Sequence, residues 1–324
     1  MVTMRSVGAA LAALASTASW ADAPPAYPSR PIKIIASQPP GGAFDMMARL
    51  TAEALQKAWG QAVVVENKTG AGGLIGTEAA AKSAPDGYTL VIGSTGPFAV
   101  SPSLIRQMPY DPVKDFAPIA RLAVMPSYLV VHPDVPATNM QEFLAYAKAN
   151  PGKLTYASTG NGLSQHTNVE LLKEMAGISI LPVTYRGSSQ ALLGLLGKQV
   201  DMMIELGPQA IPQIQAGKFR VLATTAGRRT HAMPNVPTLA ESGVPGYEAY
   251  TWFALYAPAG TPAPIVKKLH AEVSSAFQAP QVRSKLAEIG AEVALTTPEE
   301  LAAFQASETR KWHTVIRQAG IKAE

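Results

Sequence analysis

Three short loops in this sequence place glycine residues where a strand is expected to end and a helix to begin. In the first loop, Gly41 and Gly42 precede Phe44 and Asp45. Glycine lets the backbone turn sharply and approach a bound group closely. The first turn of a helix has free N–H groups and a partial positive charge. Together these features predict a binding site for an anion.

Two further loops repeat this arrangement. Residues 158–166 (STGNGLSQH) and residues 185–189 (YRGSS) each follow a predicted strand and open a predicted helix. All three loops lie at the C-terminal ends of strands, where open α/β sheets bind ligands. A plain turn capped by Asp45 is the alternative for the first loop taken alone. His166 is either a ligand contact or a residue that supports its own loop.

Cofactor and catalytic chemistry have weaker support in the sequence. Residues 70–76 (GAGGLIG) resemble a dinucleotide-binding fingerprint, but the third glycine falls one position late. There is no Gly-x-Ser-x-Gly elbow, and the five histidines are scattered without a pair at helical ligand spacing. We therefore expect no cofactor, no metal and no enzyme activity. An exported hydrolase built on Asp45, His166 and Glu205 is the alternative.

The composition is that of an exported protein that relies on packing alone. The 324 residues are 47% hydrophobic and contain no cysteine, so a large core is expected and disulfides are excluded. Residues 1–23 combine a positive start, a small apolar stretch and an Ala-x-Ala cleavage signal, which predicts a secretory signal peptide and a soluble periplasmic protein. The net charge of +4 comes without a Lys/Arg run longer than two, so nucleic-acid binding is not expected.

The hydrophobic periodicity predicts the elements that must position these loops. Strand and helix alternate in two successive units, which indicates an α/β fold with doubly wound parallel sheets. Thr297 and Glu300 have the spacing of a helix-capping pair. Strands are expected at 31–37, 63–66, 88–93, 119–131, 154–158, 180–184, 199–205, 221–225 and 247–256. Helices are expected at 44–59, 76–83, 141–149, 165–176, 188–197, 211–216, 262–279, 280–290 and 297–319.

This order of elements predicts two lobes joined by two crossover strands. We expect the first lobe to comprise residues 27–122 and 251–324, and the second to comprise residues 123–250. The crossings near 122–130 and 249–255 are the expected hinges. Such a hinged clamp places its ligand in the cleft between the lobes.

Several segments, in this order along the chain, resemble the Bug/TctC family of extracytoplasmic solute receptors of tripartite tricarboxylate transport. The resemblance covers almost the whole mature chain. It implies a periplasmic-binding-protein-like fold of type II and a small organic acid, a mono- or dicarboxylate, held mainly by backbone N–H groups and ordered water. The segments are 27–32 (YPSRPI), 39–42 (PPGG), 63–68 (VVVENK), 70–73 (GAGG), 85–90 (PDGYTL), 110–118 (YDPVKDFAP), 154–158 (LTYAS), 234–238 (PNVPT), 245–248 (PGYE) and 252–262 (WFALYAPAGTP).

The same resemblance, carried over position by position, implies ligand-binding residues in both lobes. Those in the first lobe are Gly41, Gly42, Ala43, Phe44, Asp45, Thr95 and Gly96. Those in the second lobe are Ser158, Thr159, Gly160, Asn161, Gly162, Ser164 and His166, with Tyr185, Gly187, Ser188 and Glu205 on the far side.

Four positions depart from the family pattern. Ala43 and Phe44 stand where Ser or Thr is frequent, Leu163 replaces a small polar residue, and Glu205 stands where Asp, Asn or Gly is common. Phe44 and Leu163 favour an aromatic or long aliphatic acid over a small hydroxy acid. Because backbone and water recognise the carboxylate that many acids share, the sequence predicts the class of ligand and not its name.

The resemblance also predicts the partners. It implies delivery of the acid to the membrane subunits of a tripartite tricarboxylate transporter. We also expect the chain to act as a monomer. A subunit that presents the loaded state to a membrane signalling protein is the alternative that the sequence leaves open.

Overall fold

The structure is a computed structural model that describes residues 27–160, 162–318 and 320–321. The predicted signal peptide, residues 1–23, and the predicted ligand contact Asn161 lie outside the described residues. The strands are β1 (Ile32–Ala36), β2 (Val63–Asn67), β3 (Thr89–Ser94), β4 (Phe116–Val131), β5 (Thr155–Ser158), β6 (Leu181–Thr184), β7 (Met202–Leu206), β8 (Arg220–Thr224), β9 (Tyr250–Pro258) and β10 (Glu292–Val293). The α-helices are α1 (Ala43–Trp59), α2 (Leu74–Ala81), α3 (Ser101–Leu104), α4 (Met140–Ala149), α5 (Ser164–Ala176), α6 (Ser188–Leu196), α7 (Gly207–Gln215), α8 (Ala263–Gln278), α9 (Pro280–Glu288) and α10 (Pro298–Gln318).

The strands form one mixed sheet in the order β2-β1-β3-β9-β4-β7-β5-β6, with β8 and β10 paired to β4. In its first half β1, β2 and β3 are parallel, and in its second half β5, β6 and β7 are parallel. Helices α1 and α2 connect the parallel strands of the first half, and α5 and α6 connect those of the second. The predicted α/β class, with two parallel units, is therefore confirmed.

Strand β4 belongs to both halves of the sheet. Residues 116–126 pair with the antiparallel strand β9, whereas residues 127–131 pair with β7 and β8. The pairing partner changes between Pro126 and Ser127. Because proline has no N–H to give to a strand ladder, it suits such a transition. Strand β9 then returns the chain to the first half, between β3 and β4.

Apolar side chains cover both faces of the sheet. On one face of the first half, Ile34 of β1 and Phe253 of β9 share a core with Met47 of α1. A second core includes Phe98 in the first half and Tyr156 in the second, so it is continuous beneath both halves. Strands that are buried on two faces carry nearly continuous apolar residues, as the central strands β3, β4, β7 and β9 do. The sheet therefore positions the loops at its strand ends.

The segment after β3 differs from the sequence prediction, which placed no element there. Residues Gly96–Val100 form one turn of π-helix and continue directly into α3. All five residues of this turn are buried, although Pro97 and Pro102 made the segment resemble a loop. The short strand β10 was also not predicted, because its two residues are too few to show a period.

The remaining predicted elements are present, with ends that differ by a few residues. The largest difference is in α7, which begins at Gly207 and not at residue 211. Strand β7 begins at Met202 and not at Gln199, because Gln199 N–H donates to the carbonyl oxygen of Gly194 at the end of α6. The predicted capping pair is confirmed: Thr297 Oγ1 accepts from Glu300 N–H at 3.2 Å, and Glu300 Oε2 accepts from Thr297 N–H at 2.8 Å. Among the described residues, no helix is both long and apolar enough to cross a membrane.

Candidate functional site

The predicted loops meet where the two halves of the sheet face each other. The π-helix of the first half, Gly96–Val100, lies opposite the loop that follows β5 in the second half. A Cβ placed on Gly96 would be 3.6 Å from the carbonyl oxygen of Gly162 and 3.6 Å from Cδ2 of Leu163. A π-helix turn is frequently found at functional sites. The structure thus places the loop after β3 and the loop after β5 on the two walls of one cleft.

The loop after β1 presents an uncapped helix start to this region. Helix α1 begins at Ala43, and its N-cap residue, Gly42, makes no side-chain hydrogen bond to the first turn. Gly41 has a φ of +81°, a conformation that favours glycine. The first-turn N–H groups of α1 are therefore free of a side-chain acceptor from the N-cap, as the anion-binding prediction requires.

The other two predicted loops have the same property. Helix α5 follows Leu163 and helix α6 follows Gly187, and neither N-cap residue accepts a hydrogen bond with its side chain. In contrast, α4 begins after Asn139, whose side chain accepts from Glu142 N–H. Residues without capping side chains therefore precede all three helices at the predicted site.

Asp45 does not point into the cleft as a free acid. Its Oδ2 accepts from Gly41 N–H at 3.0 Å and from Arg49 Nε at 2.9 Å, and its Oδ1 accepts from Asn67 Nδ2 at 3.0 Å. Burial opposes ionisation of Asp45, but these three hydrogen bonds outweigh it and hold the pKa below its ordinary value. Asp45 therefore fixes the shape of the loop after β1, and the interpretation of this residue as a simple helix cap understates its role.

Asn67 is a residue of the site that sequence reasoning missed. Its Nδ2 also donates to the carbonyl oxygen of Gln38, at 3.1 Å, so it ties the loop after β1 to the end of β2. Asn67 was visible in the sequence only as part of a family motif. The signal that would have found it is an amide side chain at the last position of a parallel strand.

The glycines that resemble a dinucleotide fingerprint have a packing role. A Cβ on Gly73 would lie 3.0 Å from Ser37 Oγ and 3.2 Å from Gln38 Nε2, and one on Gly76 would overlap the carbonyl oxygen of Lys68. These glycines let α2 approach the end of β1 closely. Ser37 is fully buried, and its position beside Gly73 was also not predicted.

Phe44 lies beside β9, the strand that returns the chain to the first half. Its ring meets the buried ring of Phe253 edge to face, with centroids 5.3 Å apart. Phe253 is paired with Ser94 in the sheet, so Phe44 stands next to the C-terminal end of β3. One face of the predicted site is therefore apolar. Leu163 supplies an apolar side chain from the opposite wall.

Thr95 has a structural role that the sequence did not predict. Its hydroxyl donates to the carbonyl oxygen of Tyr250 at 3.3 Å and accepts from Trp252 N–H at 3.2 Å. Thr95 therefore fastens the end of β3 to β9. Its side chain is committed to this contact, whereas its neighbour Gly96 faces the second half across the cleft.

In the second half, one glutamine connects four of the predicted site residues. Gln165 Oε1 accepts from Thr159 Oγ1 at 2.9 Å and from Ser164 Oγ at 3.3 Å. Gln165 Nε2 donates to Glu205 Oε1 at 3.0 Å and to Ser188 Oγ at 3.2 Å. Gln165 was not among the predicted residues. A polar side chain on the buried first turn of a helix, directly after the glycine loop, was the signal available for it.

Glu205 lies at the end of β7 and is fully buried. Burial raises the pKa of this carboxyl to about 6, although hydrogen bonds from Leu206 N–H, Ser188 and Gln165 partly oppose the rise. At neutral pH the group is therefore a buried carboxylate whose Oε1 accepts hydrogen bonds from Gln165 and Leu206.

Other predicted residues of the second half support the loop around this network. Ser158 is buried, and its Oγ accepts from Gly160 N–H at 3.2 Å. Gly160 and Gly162 have φ values of +126° and +80°, which explains the need for glycine at both positions. The loop after β5 is thus built to hold a sharply turned backbone.

Two further predicted residues contact other parts of the second half. The hydroxyl of Tyr185 donates to Gln199 Oε1 at 3.4 Å, and its ring lies against Gly194 on α6. The ring of His166 is buried and stacks on Tyr156, with centroids 6.5 Å apart. That Tyr185 and His166 contact a ligand stays a prediction.

The arrangement suits noncovalent recognition of an anion. It offers three uncapped helix starts, one apolar edge and a hydrogen-bonded polar wall. The described residues contain no group of three or more His, Asp or Glu side chains that could hold a metal ion.

Comparison with known proteins places this site in a family. The model of the tripartite tricarboxylate transporter family receptor (TctC) matches residues 47–321. A UPF0065 protein encoded in the tcbD-tcbE intergenic region of Pseudomonas sp. strain P51 is 40% identical over 299 residues, which cover 92% of this chain and 89% of that protein.

Two solved structures extend the similarity to the fold. R. palustris Rpa4515 with adipate has a TM-score of 0.87 and 36% identity, covering 92% of this chain and all of that chain. MatC (Rpa3494) from Rhodopseudomonas palustris, with bound malate, has a TM-score of 0.81 and 34% identity, covering 90% of this chain and 100% of that chain. The predicted periplasmic-binding-protein-like fold is thereby confirmed.

Proposed function

We propose that this chain, which belongs to the tripartite tricarboxylate transporter receptor family, closes two lobes around a small organic carboxylate and delivers it to a membrane transporter. The observation that carries the proposal is the set of three uncapped helix starts, at α1, α5 and α6, which belong to the two walls of one cleft. Relatives of similar fold that hold adipate and malate support a carboxylate as the ligand.

The lobes of the proposal follow the halves of the sheet. Residues 27–122 and 251–324 form the first lobe, and residues 123–250 form the second. The change of pairing partner within β4 supports this division, because it gives each lobe its own strands on either side of Pro126 and Ser127. The hinges lie in that part of β4 and at the start of β9.

The carboxylate group of the ligand is held by backbone N–H groups at the starts of α1 and α5. These groups belong to residues from Ala43 to Asp45 and from Gly162 to Ser164. Asp45 and Thr95 act by positioning the backbone, because their side-chain atoms are already hydrogen-bonded within the first half. Phe44 and Leu163 contact the body of the ligand. This apolar pair supports an aromatic or long aliphatic acid.

The proposal includes the route and the partners. The N-terminal residues 1–23 direct export to the periplasm, where the chain acts as a monomer. The loaded form then meets the membrane subunits of a tripartite tricarboxylate transporter. A role without catalysis is supported by Asp45, whose oxygens both accept hydrogen bonds from neighbouring groups, so that it is not a free base.

Thermal unfolding in the presence of candidate ligands tests the proposal. The mature chain is unfolded, dialysed and refolded to remove any acid retained from the cell, and then screened against mono- and dicarboxylates, sugars and amines. A ligand at one hundred times its dissociation constant adds about 2.7 kcal/mol to the free energy of unfolding. Stabilisation by sugars or amines, with none by any carboxylate, would falsify the proposal. Pull-down of a signalling protein instead of transporter subunits by the loaded form would redirect its last step.

A further inference from the structure

We infer that Glu205 determines which polar group of a ligand the second half of the cleft accepts, and that it acts through Gln165. The chain then prefers a carboxylic acid with a hydroxyl or ammonium group at its other end to an acid with a second carboxylate there. This inference rests on the proposed carboxylate binding and specifies the chemistry of the same site.

The hydrogen bond between Gln165 and Glu205 has a fixed direction. Glu205 Oε1 accepts from Leu206 N–H at 2.7 Å and lies 3.0 Å from Gln165 Nε2. An ionised carboxylate can only accept hydrogen bonds. Gln165 must therefore turn its NH₂ group toward Glu205, and this fixes its carbonyl oxygen on the other side, toward the loop after β5.

Two hydroxyls lie on the side of the Gln165 carbonyl oxygen. Thr159 Oγ1 and Ser164 Oγ lie 2.9 Å and 3.3 Å from Gln165 Oε1, which is an acceptor. A hydroxyl has one proton, so each of these groups donates it to Gln165. Both side chains are half-buried and border the cleft, and what they retain for a ligand is lone pairs.

Ser188 lies on the other side of Gln165, at the start of α6, where its Oγ accepts from Gln165 Nε2 at 3.2 Å. The two hydroxyls that direct their protons to the buried pair are therefore those of Thr159 and Ser164. These two side chains face a ligand as hydrogen-bond acceptors, while the helix starts beside them offer backbone donors.

This polarity discriminates between ligands. A ligand hydroxyl or ammonium facing Thr159 and Ser164 donates to lone pairs that have no competing proton. A carboxylate that faces Thr159 and Ser164 meets only their lone pairs, and it is also repelled by the negative charge of Glu205. Mismatched polar groups in a closed site cost binding free energy. The first carboxylate of either ligand is still held by backbone N–H groups.

Protonation of Glu205 removes the constraint. Its raised pKa of about 6 means that the carboxyl becomes neutral within the range in which the fold can be studied. A protonated Glu205 can donate a hydrogen bond, so the amide of Gln165 can rotate by 180° and accept it. The hydroxyls of Thr159 and Ser164 then no longer donate to Gln165, and their protons become available to a ligand. The titratable groups beside this pair are Tyr128, the register partner of Glu205 on β4, and His166, the residue after Gln165 on α5. Burial raises the pKa of Tyr128 above its ordinary value of 10, so it stays neutral.

Matched ligands test the inference directly. Dicarboxylates of four to eight carbons and the corresponding ω-hydroxy monocarboxylates differ only in the group at one end. Titration calorimetry at pH 7.5 gives the ratio of their dissociation constants at the length that binds best. We expect the wild type to prefer the hydroxy acid by about tenfold, and Glu205→Gln to lower this ratio to about twofold or less, since one buried hydrogen-bond mismatch is worth about that much.

The control is Glu53→Gln, the same chemical change on the exposed outer side of α1, beside Lys285. It should keep the wild-type ratio. Should Glu205→Gln fail to fold, Gln165→Met removes the connection while keeping the shape of the side chain, and it should also lower the ratio. Within the wild type, the ratio should fall between pH 7.5 and pH 5 by more than it does in Glu205→Gln. The second carboxyl of the dicarboxylate also takes up a proton in this range, but that change is the same for both proteins, so the difference between them reports on Glu205.

The outcomes separate the inference from the proposed function. If no acid of either series binds, the proposed carboxylate function fails. If both series bind and the dicarboxylate is preferred, or if the ratio is the same in the wild type, Glu205→Gln and Gln165→Met at both pH values, the proposed function stands and the inference is overturned.

Discussion

Gly162 of the second half lies directly against Leu104 of the first: a Cβ placed on Gly162 would be 3.0 Å from Leu104 Cδ1. The same position has a φ of +80°. The walls of the cleft therefore meet at a residue that has no side chain to hold them apart.

Gly162→Ala should weaken ligand binding as well as stability. We expect the free energy of unfolding to fall by about 1 kcal/mol, because alanine is strained at positive φ, and the dissociation constant for a carboxylate to rise about tenfold, because the added methyl props the halves apart. Urea unfolding and calorimetry measure the two effects. Gly177→Ala is the matched control, since Gly177 has a φ of +63° at the end of α5 with nothing within 4 Å of its Cβ position. It should lose similar stability and keep its affinity; equal losses of affinity in the two variants would contradict the steric explanation.

Asp45→Ala should loosen the loop after β1. The change leaves Gly41 N–H, Arg49 and Asn67 without their shared acceptor, and we expect a loss of about 3 kcal/mol in the free energy of unfolding at pH 7. The pKa of Asp45 lies below its ordinary value, so its contribution is complete above that value and is lost as the pH falls through the lower folded-state pKa. The difference between wild type and variant should therefore shrink as the pH falls below 4. A difference that is constant with pH would show that the charge of Asp45 is not what holds the loop.

Glu205 should give the opposite pH dependence. Its pKa is raised from 4.5 to about 6 in the folded protein, so the folded state binds this proton more tightly than the unfolded chain does. Stability from this group is complete below pH 4.5 and is lost as the pH rises through 6, a loss of about 2 kcal/mol. Comparison of urea midpoints for the wild type and Glu205→Gln from pH 4.5 to pH 7.5 should show the variant gaining by this amount. Parallel curves would mean that the carboxyl titrates normally.

Phe44→Ser should change selectivity among acids. The ring of Phe44 packs edge to face on Phe253, beside the end of β3. In the proposed site, its removal deletes contact area for the body of a ligand. We expect the dissociation constant of an aromatic or long aliphatic acid to rise about tenfold or more, in line with the loss of one buried aromatic contact. Short acids such as acetate should change by less than about threefold. An equal loss for all acids would place Phe44 in the support of the loop and not in the recognition of the ligand.

The sequence was sufficient for the fold because its strands and helices have clear periods and its loops carry glycine at the strand ends. Positions such as Gly41 and Gly162 were found because a positive φ restricts the choice of residue. The π-helix at Gly96–Val100 was missed because two prolines and an apolar run have no helical period in so short a segment.

Side-chain networks were the other gap. Gln165 and Asn67 are ordinary polar residues in the sequence, and their importance comes from contacts with residues 20 or more positions away, Glu205 for the first and Asp45 for the second. Conversely, Tyr185 begins the loop 185–189, which was predicted to bind the ligand, but its hydroxyl donates to Gln199 in the second half. Loop composition predicts which backbone groups are available, whereas the direction of a side chain depends on distant partners.

The sharing of β4 between the halves has a consequence for the order of assembly. Its pairing partner in the first half, β9, follows more than one hundred residues later, after every strand of the second half has appeared. Strand β3 also pairs with β9, so its free edge stays exposed until that part of the chain arrives. Contacts between such distant segments form slowly. The second half can therefore complete its sheet first, and the first half, although it begins the chain, is the last to close.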